Sequence, residues 1–509
     1  MSFSQEAEKK SAVLSVSAHD PLGMAGIAMD QRALASLGVH CASCITANTA
    51  QNQHNFYQLN PVPIDVFVSQ LDALHAQDIF SVIKIGMIAN PDQAMALVSH
   101  PIFLNKTIIL DPVLAATSES DGEHQTNPHT ETSNTRFLAL SILLPYVDLL
   151  TPNFDEAHYL ISQLGEHTNV SELVNERALA FHDMGVKHVL LKGGHSQHMA
   201  RDYYSSKTQQ FYLEHDEYSH GFNRGTGCAM AALIAGAIAL NYDMADAVVI
   251  AKSQMQSAWQ HPFNIDEETG SLTFSAWQHN KDAHSNAPLH HQLPKVYLNA
   301  VETDLRFLPC QATLGVYPIV DRAAWLARLL PLGIRVIQLR IKDLHGVELK
   351  QEIQKSIALA EQYDCQLFIN DYWQLAIECG AYGVHLGQED IDEADLSAIA
   401  NGGLRLGLSS HCFYEVARAK TIKPSYIAFG PVYATQTKDM PWVPKGETGL
   451  SYWRAQLTDF PLVAIGGIHG ERFEKVKAQG VNSIAMISAI TQAENPEQVC
   501  RDFIERWNI

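Results

Sequence analysis

Between residues 314 and 486, eight short apolar runs recur, at 314–320, 335–339, 366–369, 383–386, 405–408, 426–429, 462–465 and 483–486. Each is too short for a self-standing helix, and the segments between them carry helical spacing, so strand alternates with helix. Eight such units in about 200 residues predict a (β/α)8 barrel, the TIM-barrel architecture, in which the sheet closes on itself. Nearly every run is followed by polar or glycine residues on its C-terminal side, the face on which such barrels assemble their sites.

Those strand ends have a consistent chemistry. The second ends in Gln338, Arg340 and Lys342, alternate residues that point the same way, and two cations there suit a polyanion. The third ends in Asn370 and Asp371, the fourth in His385, Gly387 and Asp390. Carboxylates on neighbouring strand ends beside cations point to Mg2+ bridging a diphosphate. The fifth supplies Ser409 and His411, the sixth Thr435, Thr437 and Lys438, the seventh Gly466 and Gly467, and the eighth Ser488. Glycines after the seventh strand with a polar residue after the eighth fit a phosphate pocket. One such cluster alone is as readily a solvated loop; seven at one rim are not.

The chain has 509 residues, more than one ordinary core holds. In the first half, apolar runs at 13–16, 81–85, 107–110, 149–150 and 188–191 alternate with helical spacing at 27–37 and 65–77, which predicts a mainly parallel sheet covered on both faces. The domain limits expected are 1–281 and 310–509, joined by a connector at 282–309. Residues 117–136 are polar and aperiodic and read as a long loop.

A formal charge of −20 excludes a sequence-independent nucleic-acid binder. No apolar run reaches the length of about 18 residues that a membrane helix requires, and residues 1–10 lack the apolar stretch of a signal peptide. Eight scattered cysteines suit a reducing cytoplasm. Cys41 and Cys44 have C-x-x-C spacing with no second pair in range, and read as core packing. The oligomeric state is open.

Three features of the first half carry chemistry. D-P-L-G-M-A-G at 20–26 follows the first strand and opens a helix. R-G-T-G-C at 224–228 precedes an apolar helical stretch, and backbone N–H groups at a helix start suit a transferring phosphoryl group. T-P-N-F-D-E at 151–156 has an N-x-x-E spacing suited to Mg2+ and phosphate.

The motifs of the second half, Y-P-I-V-D-R (317–322), Q-L-R-I-K (338–342), I-N-D (369–371), G-V-H-L-G-Q-E-D (383–390), G-L-S-S-H (407–411), T-Q-T-K (435–438), I-G-G-I (465–468) and S-A-I (488–490), resemble thiamine phosphate synthase in collinear order. The resemblance implies that hydroxymethylpyrimidine diphosphate is joined to thiazole phosphate with release of diphosphate. It assigns the diphosphate to Arg340, Lys342, Asn370, Ser409 and Lys438, and Mg2+ to Asp371 and Asp390. Gln338, His385 and Gly387 fall near the pyrimidine; Thr435, Thr437, Gly467 and Ser488 fall on thiazole phosphate.

The first half, with T-A-N-T-A-Q-N (46–52), K-I-G-M (84–87), D-P-V (111–113) and L-K-G-G-H (191–195) added to its three motifs, is similar to the ribokinase-like superfamily, and within it to the hydroxymethylpyrimidine (phosphate) kinase. That resemblance implies ATP as co-substrate. It places Asp30, Gln51, Met87 and Val113 on the pyrimidine, Asp111 and Glu156 on Mg2+, and Gly225, Thr226 and Gly227 as an anion hole. Cys228 would accept or relay the substrate proton, with a thiol pKa lowered by its helix N-terminus.

The sequence departs from those families at Ala18, His19, Leu22 and Met24 in the first loop, at 114–117 after D-P-V, at Arg224 where a His commonly stands, and at Tyr372 where many synthases have Arg. Two other readings of the first half stay open: a non-catalytic pyrimidine-binding module, and a pyridoxal-type kinase. All the ligands expected are small molecules.

Overall fold

The computed structural model describes residues 10–52, 55–114, 129–164, 173–193, 201–215, 224–265, 270–277, 292–298, 305–310, 314–434 and 444–509. Two units separate, one holding the chain up to Trp277 together with His290–Val301, the other the chain from Glu302 to Ile509.

The first unit is built on a ten-stranded sheet. Its strands are β1 (Ala12–His19), β2 (His40–Gln51), β3 (Phe56–Pro61), β4 (Val82–Ile85), β5 (Thr107–Leu110), β6 (Leu149–Leu150), β7 (His188–Leu191), β8 (Arg201–Ser206), β9 (Gln210–Glu214) and β12 (Lys295–Tyr297). The spatial order is β12-β9-β8-β7-β6-β5-β4-β1-β2-β3. A separate antiparallel pair is formed by β10 (Phe263–Asn264) and β11 (Gly270–Ser271). The run from β7 to β2 is parallel, and the outer strands at both edges are antiparallel.

From β1 the chain steps to β2 on one side and returns to β4 on the other. The strand order therefore reverses at β1, and ligands of open α/β sheets bind beyond the strand C-termini at such a switch. Helices cover the sheet through apolar stripes. In Ile64–His75, Phe67 and Leu71, one turn apart, are fully buried while Ile64 and Val66 face outward. Burying each of the two contributes ~1.5–3 kcal/mol.

Strands β1, β4, β5, β6 and β7 fall on the apolar runs of the sequence. Three expectations need correction or refinement. Residues 129–136, read as part of a loop, belong to the helix His129–Leu143, whose apolar end at Ala139, Leu140 and Leu143 joins the core. Arg136 is buried there and donates to the Leu114 carbonyl at 2.5 Å. Residues 117–128 of that stretch lie outside the described residues. The stretch 282–309 contains β12, an edge strand of the first sheet paired with β9. Of Cys41 and Cys44, read as core packing, Cys44 is fully buried in the core, whereas Cys41, three residues back on β2 and so on its opposite face, is half-buried.

In the second unit the eight expected strands close into a parallel barrel: β13 (Gly315–Val320), β14 (Val336–Leu339), β15 (Gln366–Asn370), β16 (Gly383–Leu386), β17 (Arg405–Ser410), β18 (Tyr426–Phe429), β19 (Leu462–Ile465) and β20 (Ser483–Met486). The inside is filled by Tyr317, Ile319, Val336, Phe368, Tyr426, Ala428, Val463 and Ala485, so the barrel is a packed core and not a pore. No helix among the described residues is long and apolar enough to cross a membrane.

Candidate active sites

In the first unit, the sequence-predicted residues gather beyond the C-terminal ends of the parallel strands. The helix expected after R-G-T-G-C begins earlier than its apolar run, spanning Thr226–Ala239, so Thr226, Gly227 and Cys228 form its first turn. Gly225 precedes it with φ 76°, and a Cβ there would stand 2.0 Å from the Met24 carbonyl oxygen. The glycine is required both by the left-handed conformation and by the backbone of the 20–26 loop pressed against it.

Opposite that first turn, Lys192 Nζ at the end of β7 donates to Asp111 Oδ1 at 3.0 Å, and Thr151 Oγ1 does so at 3.3 Å. A Cβ on Gly227 would lie 2.9 Å from Lys192 Nζ and 3.6 Å from both Asp111 oxygens, which measures how closely this ion pair faces the helix start. Burial pushes the Asp111 carboxyl up, but Lys192 and Lys84 outweigh it and hold the group below its usual range. Glu156 and Asn153 cap one another, Asn153 N–H to Glu156 Oε2 and Glu156 N–H to Asn153 Oδ1, both at 2.8 Å. Burial raises Glu156 to about 7, against the pull of Lys192 and with the push of Asp111. Two carboxylates held close in a buried site, one of them resisting ionisation, fit a divalent cation that would relieve their repulsion.

Cys228 meets a different environment from the one its helix position suggests. Burial raises its thiol to about 12, and the nearby Asp111 and Asp30 charges reinforce this against Lys84. The expected lowering is therefore corrected: the helix dipole is outweighed by desolvation and by two carboxylates.

Met87 and Val113 come together with Ala18, Ala47 and Ala89 in a small apolar cluster separate from the main core. Gln51 ends β2 and donates to Thr49 Oγ1 at 2.8 Å. Asp30 is held deeper. It is fully buried, accepting from Ser15 Oγ at 2.6 Å and from Lys84 Nζ at 2.9 and 3.0 Å. Burial opposes the charge on Lys84, but Asp30, Cys228 and Asp111 together raise its pKa. The altered positions are explained in part. Met24 is buried and donates its N–H to Asp20 Oδ2 at 3.1 Å. Arg224 pairs with Asp20 at 3.5 Å and donates to the Asn52 carbonyl, tying the first loop to the end of β2.

In the barrel, Lys342 Nζ donates to Asp371 Oδ2 at 2.5 Å, and Asp371 takes φ 67°. Asp390 Oδ2 accepts from the Gly387 N–H at 3.0 Å. Burial first, then the neighbouring Asp371, raises the Asp390 carboxyl. Two carboxylates sharing charge beside Lys342 fit Mg2+ on a diphosphate. Asn370, Gln338 and His385 are buried inward, and Arg340 and Ser409 are half-buried. His385 bonds to Tyr426 Oη and Ser409 Oγ, and burial lowers its pKa to about 4.

Gly467 follows β19 with φ 63° beside the loop carrying Tyr433 and Ala434, and Ser488 follows the adjacent β20. His411 is spent on Glu415 at 2.7 Å. Tyr372 Oη donates to the Ile341 carbonyl at 3.2 Å, bracing the loop between Arg340 and Lys342. Thr435, Thr437 and Lys438 lie outside the described residues.

Sequence reasoning missed Lys84, Lys192, Tyr317 and Tyr426. The signal for Lys84 was available: a single charge inside the apolar run V-I-K-I. The tyrosines gave none, since an aromatic in a barrel strand reads as core.

Fold and sites define a pair of transferases acting on phosphorylated small molecules. A family model described as thiamine monophosphate synthase matches residues 316–490, and one described as phosphomethylpyrimidine kinase matches residues 20–273. Thiamine-phosphate synthase of Serratia proteamaculans is 57% identical over 180 residues, 35% of this chain and 85% of that one. The enzyme of that name from Proteus mirabilis is 51% identical over 199 residues, 39% of this chain and 93% of that one. Among solved structures, a pyridoxal kinase from Staphylococcus aureus (24% identity, TM-score 0.46) covers 56% of this chain and 98% of its own. A phosphomethylpyrimidine kinase from Clostridium difficile (24% identity, TM-score 0.39) covers 48% and 96%. The chain belongs to the thiamine phosphate synthase family through its barrel and to the phosphomethylpyrimidine kinase family through its first unit. It is a bifunctional enzyme of thiamine biosynthesis.

Proposed function

We propose that the first unit carries hydroxymethylpyrimidine through to its diphosphate with ATP, and that the barrel couples that diphosphate to thiazole phosphate. The observation that carries this is the matching equipment of the two sites: a cation-and-carboxylate pair, Lys192–Asp111 in one and Lys342–Asp371 in the other, each beside a second carboxylate. The product of the first site is the substrate of the second.

In the kinase, Met87 and Val113 pack against the pyrimidine. Lys192 and the N–H groups of Gly225, Thr226 and Gly227 hold the transferring phosphoryl group. Cys228, in the first turn of the helix, relays the hydroxyl proton to the transferred phosphoryl group as the O–P bond forms, so the thiol begins and ends protonated. Phosphoryl transfer depends chiefly on positioning and charge, so a weak base suffices. Asp30, locked by Lys84, shapes the floor of the pocket. Asp111 and Glu156 would hold Mg2+, which supplies neutralisation of the nucleotide phosphates.

In the barrel, Arg340, Lys342, Asn370, Ser409 and Lys438 bind diphosphate, and Asp371 with Asp390 would hold the Mg2+ that offsets its charge. Gln338, His385 and Gly387 orient the pyrimidine; Thr435, Thr437, Gly467 and Ser488 bind thiazole phosphate. The C–O bond to diphosphate breaks, and the thiazole nitrogen bonds to the freed methylene carbon. Such a route needs leaving-group stabilisation and exclusion of water more than a general base. Eight free cysteines suit a cytoplasmic setting.

The test gives purified protein free hydroxymethylpyrimidine, thiazole phosphate, ATP and Mg2+ in one tube, and preformed pyrimidine diphosphate without ATP in another. Thiamine phosphate in both is expected. Product only from the preformed diphosphate would limit the first unit to the monophosphate or to binding; none in either would sink the proposal.

A further inference from the structure

Past β19 three successive carbonyls are all occupied. Those of Ile465 and Gly466 accept from the N–H groups of Val432 and Tyr433, at 2.9 and 3.0 Å, and that of Gly467 accepts from Arg472 Nη1 at 2.8 Å. The N–H groups of Gly466, Gly467 and Ile468 find no acceptor among the described residues. A trans peptide sets its N–H opposite its carbonyl, so each of these donors is turned away from the group that holds the carbonyl before it. Gly466 at φ 104° and Gly467 at φ 63° permit the turn. Successive N–H groups in such a turn make a concave seat for an anion.

Two of the three carbonyls are held by main chain, which no substitution removes. The third depends on one side chain. Arg472 opens the helix Arg472–Lys477 and is half-buried. Its guanidinium lies 4.4 Å from the centroid of the Tyr433 ring, and Tyr433 Oη donates to Glu447 Oε1 at 2.6 Å. Nη1 also reaches His469 Nε2 at 3.2 Å. The loop at Val432 and Tyr433 thus fixes two carbonyls directly and the third through Arg472. Without the guanidinium, the peptide after Gly467 loses its only anchor, and a glycine leaves that peptide free to rotate.

We propose that Arg472 is a positioning residue of the synthase: by holding the Gly467 carbonyl it keeps the Ile468 N–H turned into the seat of the thiazole phosphate. This rests on the reading of Gly467 as a thiazole phosphate ligand. That phosphate takes no part in bond making, so it is held alike before and during reaction. Loss of the hold falls on the KM of this one substrate.

The test assays the full chain with preformed pyrimidine diphosphate and thiazole phosphate. In Arg472→Met, which keeps an unbranched stem over Tyr433, KM for thiazole phosphate should rise about tenfold. Both kcat and KM for the pyrimidine diphosphate should change less than about twofold. Arg472→Lys, which keeps a charged donor, should recover most of the loss. Circular dichroism checks folding, and Arg472→Gln, too short to reach the carbonyl, replaces Arg472→Met if that variant does not fold. Protein labelled with 15N-isoleucine gives a second readout, the Ile468 amide being the signal missing from Ile468→Val. It should move downfield when thiazole phosphate saturates wild type, and barely move in Arg472→Met. A wild-type KM for thiazole phosphate in the folded variant overturns the proposal, as does an equal rise for both substrates. An Ile468 amide unmoved by thiazole phosphate in wild type overturns the phosphate reading instead; the two failures are distinguishable because that spectrum needs no variant.

Discussion

Glu156 shows how the fold sets the charge state of a single side chain. Its carboxyl, ordinarily at 4.5, is raised to about 7 by burial and Asp111 against the attraction of Lys192. Between those values the folded protein holds more of this proton than the unfolded chain does. The stability this group allows is therefore greatest below its unfolded pKa and falls as pH rises through the window. Glu156→Gln keeps an oxygen for the Asn153 N–H and cannot ionise. Melting the first unit in EDTA should show the variant gaining on wild type from pH 5 to pH 8, by about 2–4 °C for each kcal/mol relieved. A gap that stays constant with pH would mean that another group titrates. Cys228 makes the complementary point about legibility. Its place at a helix start was plain from R-G-T-G-C, but its carboxylate neighbours Asp111 and Asp30 come from distant segments. Local sequence supplied the dipole and concealed the stronger effect.

At the scale of elements, legibility followed how apolar each strand is. Most barrel strands, and β1, β4, β5, β6 and β7, are mainly apolar, visible because both of their faces are covered. Strand β8 is R-D-Y-Y-S-S, buried through partners such as the 2.6 Å ion pair between Asp202 and Lys252, so composition alone reads it as loop. The candidate site followed the same division. Strand-end clusters in the barrel could be read in order, whereas the tie between the 20–26 loop and β2 depends on Arg224, whose partners lie far along the chain. Arg224 acts on elements more than on substrate. Removing its guanidinium leaves Asp20 buried with only the Leu22 and Met24 N–H groups at 3.1 Å. Arg224→Ala should destabilise the first unit by about 3 kcal/mol in urea unfolding. Misplacement of the anion-hole loop should cost kinase kcat/KM about tenfold to a hundredfold. The synthase rate of the same protein should not move. Full kinase activity in the variant would show that the first loop holds its position without the tie.

At the scale of the molecule, each proposed site is assembled from residues of one unit: the proposed kinase site from β1 to the helix Thr226–Ala239, the proposed synthase site from the rim of the barrel. A reaction that needs both sites does not, on this construction, need both in the same polypeptide. Cys228→Ala should lower kinase turnover and leave the synthase intact, and Arg340→Ala should do the reverse. Neither variant alone should convert free hydroxymethylpyrimidine to thiamine phosphate at the wild-type rate. Mixed in equal amounts they should restore the conversion, because the pyrimidine diphosphate released by one molecule is captured by the barrel of another. Diffusion between molecules then predicts a lag before thiamine phosphate appears, shortening as total protein is raised at a fixed ratio. The wild type, followed in the same assay, gives the comparison. A mixture that stays inactive while each variant keeps its remaining single activity would mean that the intermediate never leaves the molecule that made it.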